Sequence, residues 1–168
     1  MKHKRIILTG FMGTGKTAVG QALAKKLNFD FLDTDLMVEK ETGKSITQIF
    51  EKEGESSFRV YEKKMVKKAL EKENVVVATG GGAVIDSENL KLMKERGIVI
   101  GLAAAPEAIL DRVTRFDTRP LLQTQDQLKK IRKLLSQRSP YYRKADKIVD
   151  TTAKRIEETI EEILKTLE

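Results

Sequence analysis

Gly10, Gly15, Lys16 and Thr17 satisfy the spacing G-x-x-x-x-G-K-[ST] within Gly10-Phe11-Met12-Gly13-Thr14-Gly15-Lys16-Thr17. Glycines let such a loop curl until consecutive N–H groups point inward at an anion, and a helix that follows adds its positive end. Lys16 is then placed for the β- and γ-phosphates of a nucleotide, and the Thr17 hydroxyl for Mg²⁺. The pattern needs a strand before it and a helix after it. Arg5-Ile6-Ile7-Leu8-Thr9 supplies the first, and Val19, Ala22, Leu23 and Leu27 carry the 3.6-residue spacing of the second. Neither D-x-x-G nor N-K-x-D occurs, which argues against a GTPase switch, and the chain is short for a motor or transporter ATPase. A small-molecule kinase remains, with its second substrate in the same cleft.

Further groups suit that second substrate. Asp33 and Asp35 follow an apolar run, and acids spaced by two project to one side if the backbone stays extended. One can hold Mg²⁺, directly or through water, while the other takes or orients the proton of an attacking hydroxyl; Asp35 also suits a helix N-cap. Arg59 and Glu62 lie three apart in a helical stretch, as a surface ion pair or as a guanidinium oriented for a carboxylate or phosphate. Gly80-Gly81-Gly82 follows a β-branched run, and three glycines at such a point predict close backbone approach to a ligand. Arg112, Arg115, Arg119 and Arg138 add cations around a polar stretch from Thr114 to Gln127, which holds Pro120 and reads as a mobile lid or a long loop.

The elements that must position these groups alternate. Strands are expected at 5–9, 29–33, 74–79, 98–102 and 147–150, with mostly helical sequence at 35–72 broken near Gly43 and Gly54. Further helices are expected at 88–96, after Pro106, and along the stripe Ile156, Ile160, Ile163, Leu164 and Leu167. Alternation of this kind predicts an α/β fold of three layers, α/β/α, with a five-stranded parallel sheet, the P-loop NTPase fold with a mobile lid. Ligands then bind at the carboxyl ends of the strands. The 168 residues fit one domain, 1–168, with the lid at about 113–125 and a helical substrate-binding region at about 35–62.

Composition narrows the class. The absence of cysteine excludes disulfides, Cys-ligated zinc and thiol nucleophiles, and the single histidine, His3, lies by the N-terminus. Lys2, Lys4 and Arg5 precede an apolar run far too short for a signal peptide, and nothing approaches a membrane span, so a soluble, cytoplasmic protein with no membrane partner is expected. A formal charge of +7 raises the alternative of a nucleotide-dependent nucleic-acid binder. The basic residues stand in Lys/Glu-mixed segments such as Glu51-Lys52-Glu53, and aromatic content is 5%, so no nucleic-acid partner is expected.

Taken in order along nearly the whole chain, these motifs resemble the shikimate kinase family: the loop 10–17, Asp33-Thr34-Asp35, Ser45-Ile46 through Ile49-Phe50, Gly54-Glu55 with Phe58-Arg59 and Glu62, Ala78-Thr79-Gly80-Gly81-Gly82, Arg119-Pro120-Leu121-Leu122, and Arg138 with Tyr141-Tyr142. The resemblance implies ATP- and Mg²⁺-dependent phosphorylation of the 3-hydroxyl of shikimate, a step toward aromatic amino acids, by a monomeric enzyme. It implies that Gly13, Thr14, Gly15, Lys16, Thr17 and Ala18 hold the nucleotide, with Arg112 and Thr152 in the adenine region. Thr17 and Asp33 would hold the metal, and Asp35, Lys16 and Arg119 would act in catalysis, Arg119 also on the phosphates. Arg59, Arg138 and Gly80 to Gly82 would clamp shikimate, Glu62 would support Arg59, and Phe50 and Phe58 would wall the pocket. Arg115 and Asp117 receive no role. Gluconate, which also carries a carboxylate and hydroxyls, and nucleoside monophosphates are the competing substrates.

Overall fold

The computed structural model describes residues 3–115 and 126–168. Short apolar runs form the strands β1 (Arg5–Thr9), β2 (Asp30–Asp33), β3 (Val75–Ala78), β4 (Ile98–Ala103) and β5 (Lys147–Asp150). They make one sheet in the order β2-β3-β1-β4-β5, and every pairing is parallel. All five carboxyl ends therefore share one edge, with β1 in the middle and the loop after it flanked by those after β3 and β4.

Between the strands run α1 (Lys16–Leu27), α2 (Thr34–Thr42), α3 (Ile46–Lys52), α4 (Gly54–Ala69), α5 (Ser87–Arg96), α6 (Pro106–Arg115), α7 (Gln127–Tyr142) and α8 (Ile156–Thr166), with a 3₁₀ turn at Ala83–Ile85. Alternation of side chains along the strands divides the core. Ile6, Leu8, Val76 and Ile100 pack with Val19 and Leu23 of α1 and Ile160 and Ile163 of α8. Ile7, Val75, Val77 and Val99 pack on the other face with Val66 of α4, Met93 of α5 and Ile131 of α7. Each such buried aliphatic side chain contributes about 1.5–3 kcal/mol. The expected α/β/α layering and five-stranded parallel sheet are what the chain adopts.

A third cluster, Val38, Ile49, Phe58 and Met65, ties α2, α3 and α4 together beside the sheet edge. Ser45 starts α3 with a capping box shared with Gln48, and Gly43 ends α2 at φ 66. The break anticipated at Gly54 is a corner at φ 83 from which α4 departs.

Two expectations need correction. The backbone does not stay extended through Asp33-Thr34-Asp35: β2 ends at Asp33 and α2 begins at Thr34, so the two acids reach one cavity from a strand end and a helix start. The N-cap of α2 is Asp33, whereas Asp35 sits in the first turn. The polar stretch from Thr114 to Gln127 is also not loop throughout, since α6 continues to Arg115 and α7 starts at Gln127. Residues 116–125, with Asp117, Arg119 and Pro120, lie outside the described residues. Among the described residues no helix is long and apolar enough to cross a membrane.

Candidate active site

The glycine loop leaves β1 and caps α1. Gly13 at φ 78 and Gly15 at φ 99 take the left-handed conformation that ordinary side chains resist, and Gly15 is the N-cap residue of α1. The buried Thr14 hydroxyl donates to Phe11 O at 2.7 Å, and the Lys16 ammonium donates to Gly10 O at 2.7 Å and Phe11 O at 3.0 Å. Arg112 on α6 braces the loop from outside, donating to Gly13 O at 3.1 Å and Thr151 O at 2.6 Å. The buried Thr151 hydroxyl donates to Thr14 O at 2.9 Å. A cavity of about 540 Å³ opens along this loop, lined by Gly13 to Val19, by Asp33, Asp35, Thr79 and Gly81 at one end, and by Arg112, Val113, Thr151, Lys154, Arg155, Ile156 and Thr159 at the other.

Asp33 serves two elements at once. Its Oδ1 accepts from the N–H groups of Asp35 at 2.9 Å and Leu36 at 3.3 Å, while its Oδ2 accepts from the Thr17 hydroxyl at 3.1 Å. Thr17 and Asp33 thus present hard oxygen donors side by side at the mouth of the phosphate loop.

A second pocket of about 100 Å³ adjoins the first, formed by Met12, Asp35, Ile46, Phe50, Phe58, Arg59, Glu62, Gly80, Gly81, Gly82 and Arg138. Phe50 and Phe58 wall it with ring centroids 4.9 Å apart. Arg59 is held from two sides, donating to Glu62 Oε1 at 2.8 Å and Glu55 Oε1 at 3.1 Å. Burial works against the Arg59 charge, but Glu62 and Glu55 outweigh it and hold the guanidinium more firmly protonated than usual. Glu62 is 2% exposed, and its Oε2 meets no hydrogen-bond partner among the described residues. Burial pushes its carboxyl above the ordinary range; Arg59 and Arg138 pull it down and Asp35 pushes it further up. Desolvation outweighs the ion pair here because Glu62 has lost nearly all contact with water.

Two of the three glycines after β3, Gly80 and Gly82, stand in crowded positions. A Cβ on Gly80 would lie 2.6 Å from Glu62 Oε2 and 2.7 Å from Asp35 Oδ1, and one on Gly82 would collide with the Arg59 guanidinium. Arg138 approaches the same turn from α7, its guanidinium 5.9 Å from the Phe11 ring centre. Two cations and two carboxyl groups therefore surround one glycine turn, and Asp35 and Gly81 border both cavities.

A family model described as shikimate kinase matches residues 12–168. The chain belongs to the shikimate kinase family. A shikimate kinase from Caldanaerobacter subterraneus subsp. tengcongensis is 49% identical over 96% of this chain and 95% of its own length. One from Thermus thermophilus is 45% identical over 96% and 89%. Among solved structures, the Acinetobacter baumannii shikimate kinase in complex with shikimate superposes with a TM-score of 0.94 at 40% identity, covering 99% of this chain and 93% of that one. The Aquifex aeolicus shikimate kinase gives 0.82 at 42% identity, covering 97% and 95%.

Within this member of the shikimate kinase family, Gly13 to Ala18, Asp33 and Arg112 gather at the larger cavity, and Arg59, Glu62, Gly80 to Gly82, Arg138, Phe50 and Phe58 at the smaller. Thr152 is not brought to the cavity: its hydroxyl donates to Asp150 at 2.6 Å and accepts from Ala105 N at 2.9 Å, and the neighbouring Thr151 lines the wall instead. Arg119 lies outside the described residues. Met12, Ile46, Glu55 and Tyr142 stood in the sequence only as members of motifs, with no role of their own, and Lys154 and Arg155 went unread. Glu55 was accessible, four residues before Arg59 on one helix face; Lys154 and Arg155 sit in a polar loop with no periodicity to single them out.

Proposed function

We propose that this chain transfers the γ-phosphoryl group of ATP to the 3-hydroxyl of shikimate, yielding shikimate 3-phosphate and ADP. The observation that carries this reading is the junction of the two cavities at Asp35 and Gly81. A nucleotide along the glycine loop and a small acid between Arg59 and Arg138 would then meet with the Asp35 carboxylate at the point of contact.

The chemistry follows from those placements. Arg59 and Arg138 pair with the substrate carboxylate, and Glu62 and Glu55 keep Arg59 from swinging away. Asp35 orients the attacking hydroxyl and takes its proton as the new O–P bond forms and the bond to the ADP oxygen breaks. A secondary alcohol is barely acidic and the transition state is loose, so positioning and charge neutralisation matter more than base strength. Lys16 turns its ammonium from the loop carbonyls to the β- and γ-phosphates. Thr17 Oγ1 and Asp33 Oδ2, 3.1 Å apart, are hard oxygen ligands that would hold Mg²⁺. Held there by Thr17 and Asp33, Mg²⁺ would supply neutralisation of phosphate charge. The phosphate role of Arg119 rests on the sequence resemblance.

The reading takes residues 1–168 as a single kinase domain, working as a cytoplasmic monomer with neither nucleic acid nor membrane as partner. A coupled assay of ADP release on shikimate, gluconate and a nucleoside monophosphate tests it. Turnover with shikimate is expected; phosphorylation of gluconate without turnover of shikimate contradicts it.

A further inference from the structure

The glycine turn after β3 is pinned on its carbonyl side. Gly80 O accepts from Ala83 N at 3.1 Å, Gly82 O accepts from Ile85 N at 3.1 Å, and Gly81 O accepts from the Tyr142 hydroxyl at 2.5 Å. Gly80 N–H donates to the buried Thr34 hydroxyl at 3.1 Å. The N–H groups of Gly81 and Gly82 meet no protein acceptor among the described residues, and both glycines line the smaller pocket.

Every peptide bond here is trans, and a trans peptide is planar with its N–H opposite its C=O. A bond on one carbonyl therefore sets the direction of the next residue's N–H. Local turn geometry does this for Gly81 through Gly80 O. For Gly82 the corresponding carbonyl is Gly81 O, whose partner is a side chain from α7, distant in sequence. Glycine offers no steric resistance to rotation of that plane, so without the phenol the Gly81–Gly82 peptide is free to turn.

Tyr142 is suited to the task. It is 8% exposed and stands one helical turn after Arg138, so the same helix delivers a carboxylate-binding cation and the phenol. Burial pushes the phenol up, against Arg138 and Arg59 and with Glu62, which keeps it a donor at neutral pH.

We propose that Tyr142 is a positioning residue for the transfer: by holding Gly81 O it aims the Gly82 N–H at a hydroxyl or carboxylate oxygen of the bound acid. The proposal rests on the preceding reading only for the identity of that acid.

Tyr142→Phe keeps the ring and removes the bond. The expected result is a rise of about 3–10-fold in KM for shikimate, with KM for ATP and the thermal midpoint close to those of the parent. An unchanged shikimate KM overturns the proposal, and so does an equal rise in both KM values, which would mark a general loosening. A second readout needs no substrate. In the ligand-free protein the ¹⁵N order parameter of the Gly82 amide should fall from about 0.85 toward about 0.6 in the variant while that of Gly81 holds. Equal order at Gly82 in both proteins overturns the proposal even if the chain proves inactive on shikimate, an outcome that would instead contradict the proposed function.

Discussion

Asp35 lies where the two cavities meet, and its carboxylate faces Glu62 across Gly80 at a spacing that a single methyl group would close. Asp35→Asn keeps the shape but removes the proposed proton acceptor, so kcat should drop by about 10²–10⁴-fold in a steady-state assay with little change in thermal midpoint. Near-parental turnover would remove Asp35 from proton transfer. Glu62 makes a prediction about pH. Its carboxyl is raised above its ordinary 4.5, so its contribution to stability is present below that value and is lost as pH rises through the raised one. Binding runs the other way, because only the charged form pairs with Arg59. As pH falls through the raised value, KM for shikimate should climb, on a limb lying above pH 4.5. Glu62→Gln should raise KM on the order of ten-fold at neutral pH and erase that limb in the pH profile. Much of this constellation was legible residue by residue, because Lys16, Asp35, Arg59 and Arg138 carry chemistry in their side-chain types. The role of Gly80 and Gly82 was legible only as a need for space. That the space is taken up by Glu62, Asp35 and Arg59 depends on α2 and α4 converging, which no local spacing states.

At the scale of elements, the start of α2 couples folding to the proposed metal site. Asp33 caps that helix with one oxygen and accepts from Thr17 with the other. Asp33→Ala should lose the cap, about 1 kcal/mol, and lower the thermal midpoint by about 2–4 °C. Asp33→Asn retains a capping oxygen and should spare most of the midpoint while still raising the Mg²⁺ concentration needed for half-maximal activity. Calorimetry and a Mg²⁺ titration separate the two effects. The strands were readable as short β-branched runs, to within a residue or two at their ends. The turn from strand to helix at Thr34 was not, since two acids spaced by two fit an extended chain as well as a capped helix. Helix α7 was not anticipated: it runs through Pro140, which removes an N–H from its last turn, and Arg143 N still bonds to Ser139 O at 3.0 Å. Without that helix Tyr142 stood beside Arg138 only as part of a motif, with no sign that the two share a face.

For the whole molecule, the parallel order β2-β3-β1-β4-β5 does the assembling. It sets the glycine loop after β1 beside the glycine turn after β3, with the acids after β2 next along the same edge, while α7 reaches in from the face that holds Ile131 and Tyr142. The layering was legible because alternation of strand and helix leaves few topologies. Strand order and the meeting of two cavities at Asp35 and Gly81 arise from contacts far apart in sequence, beyond the reach of periodicity. The central claim is that this edge joins a nucleotide to the 3-hydroxyl of shikimate. Its most direct test is ³¹P NMR of the protein with ATP, Mg²⁺ and shikimate. A phosphomonoester signal coupled to the C3 proton of shikimate, growing in equal proportion with ADP, is the predicted result. Inorganic phosphate alone, no consumption of ATP, or coupling to the proton of another ring carbon would contradict the account.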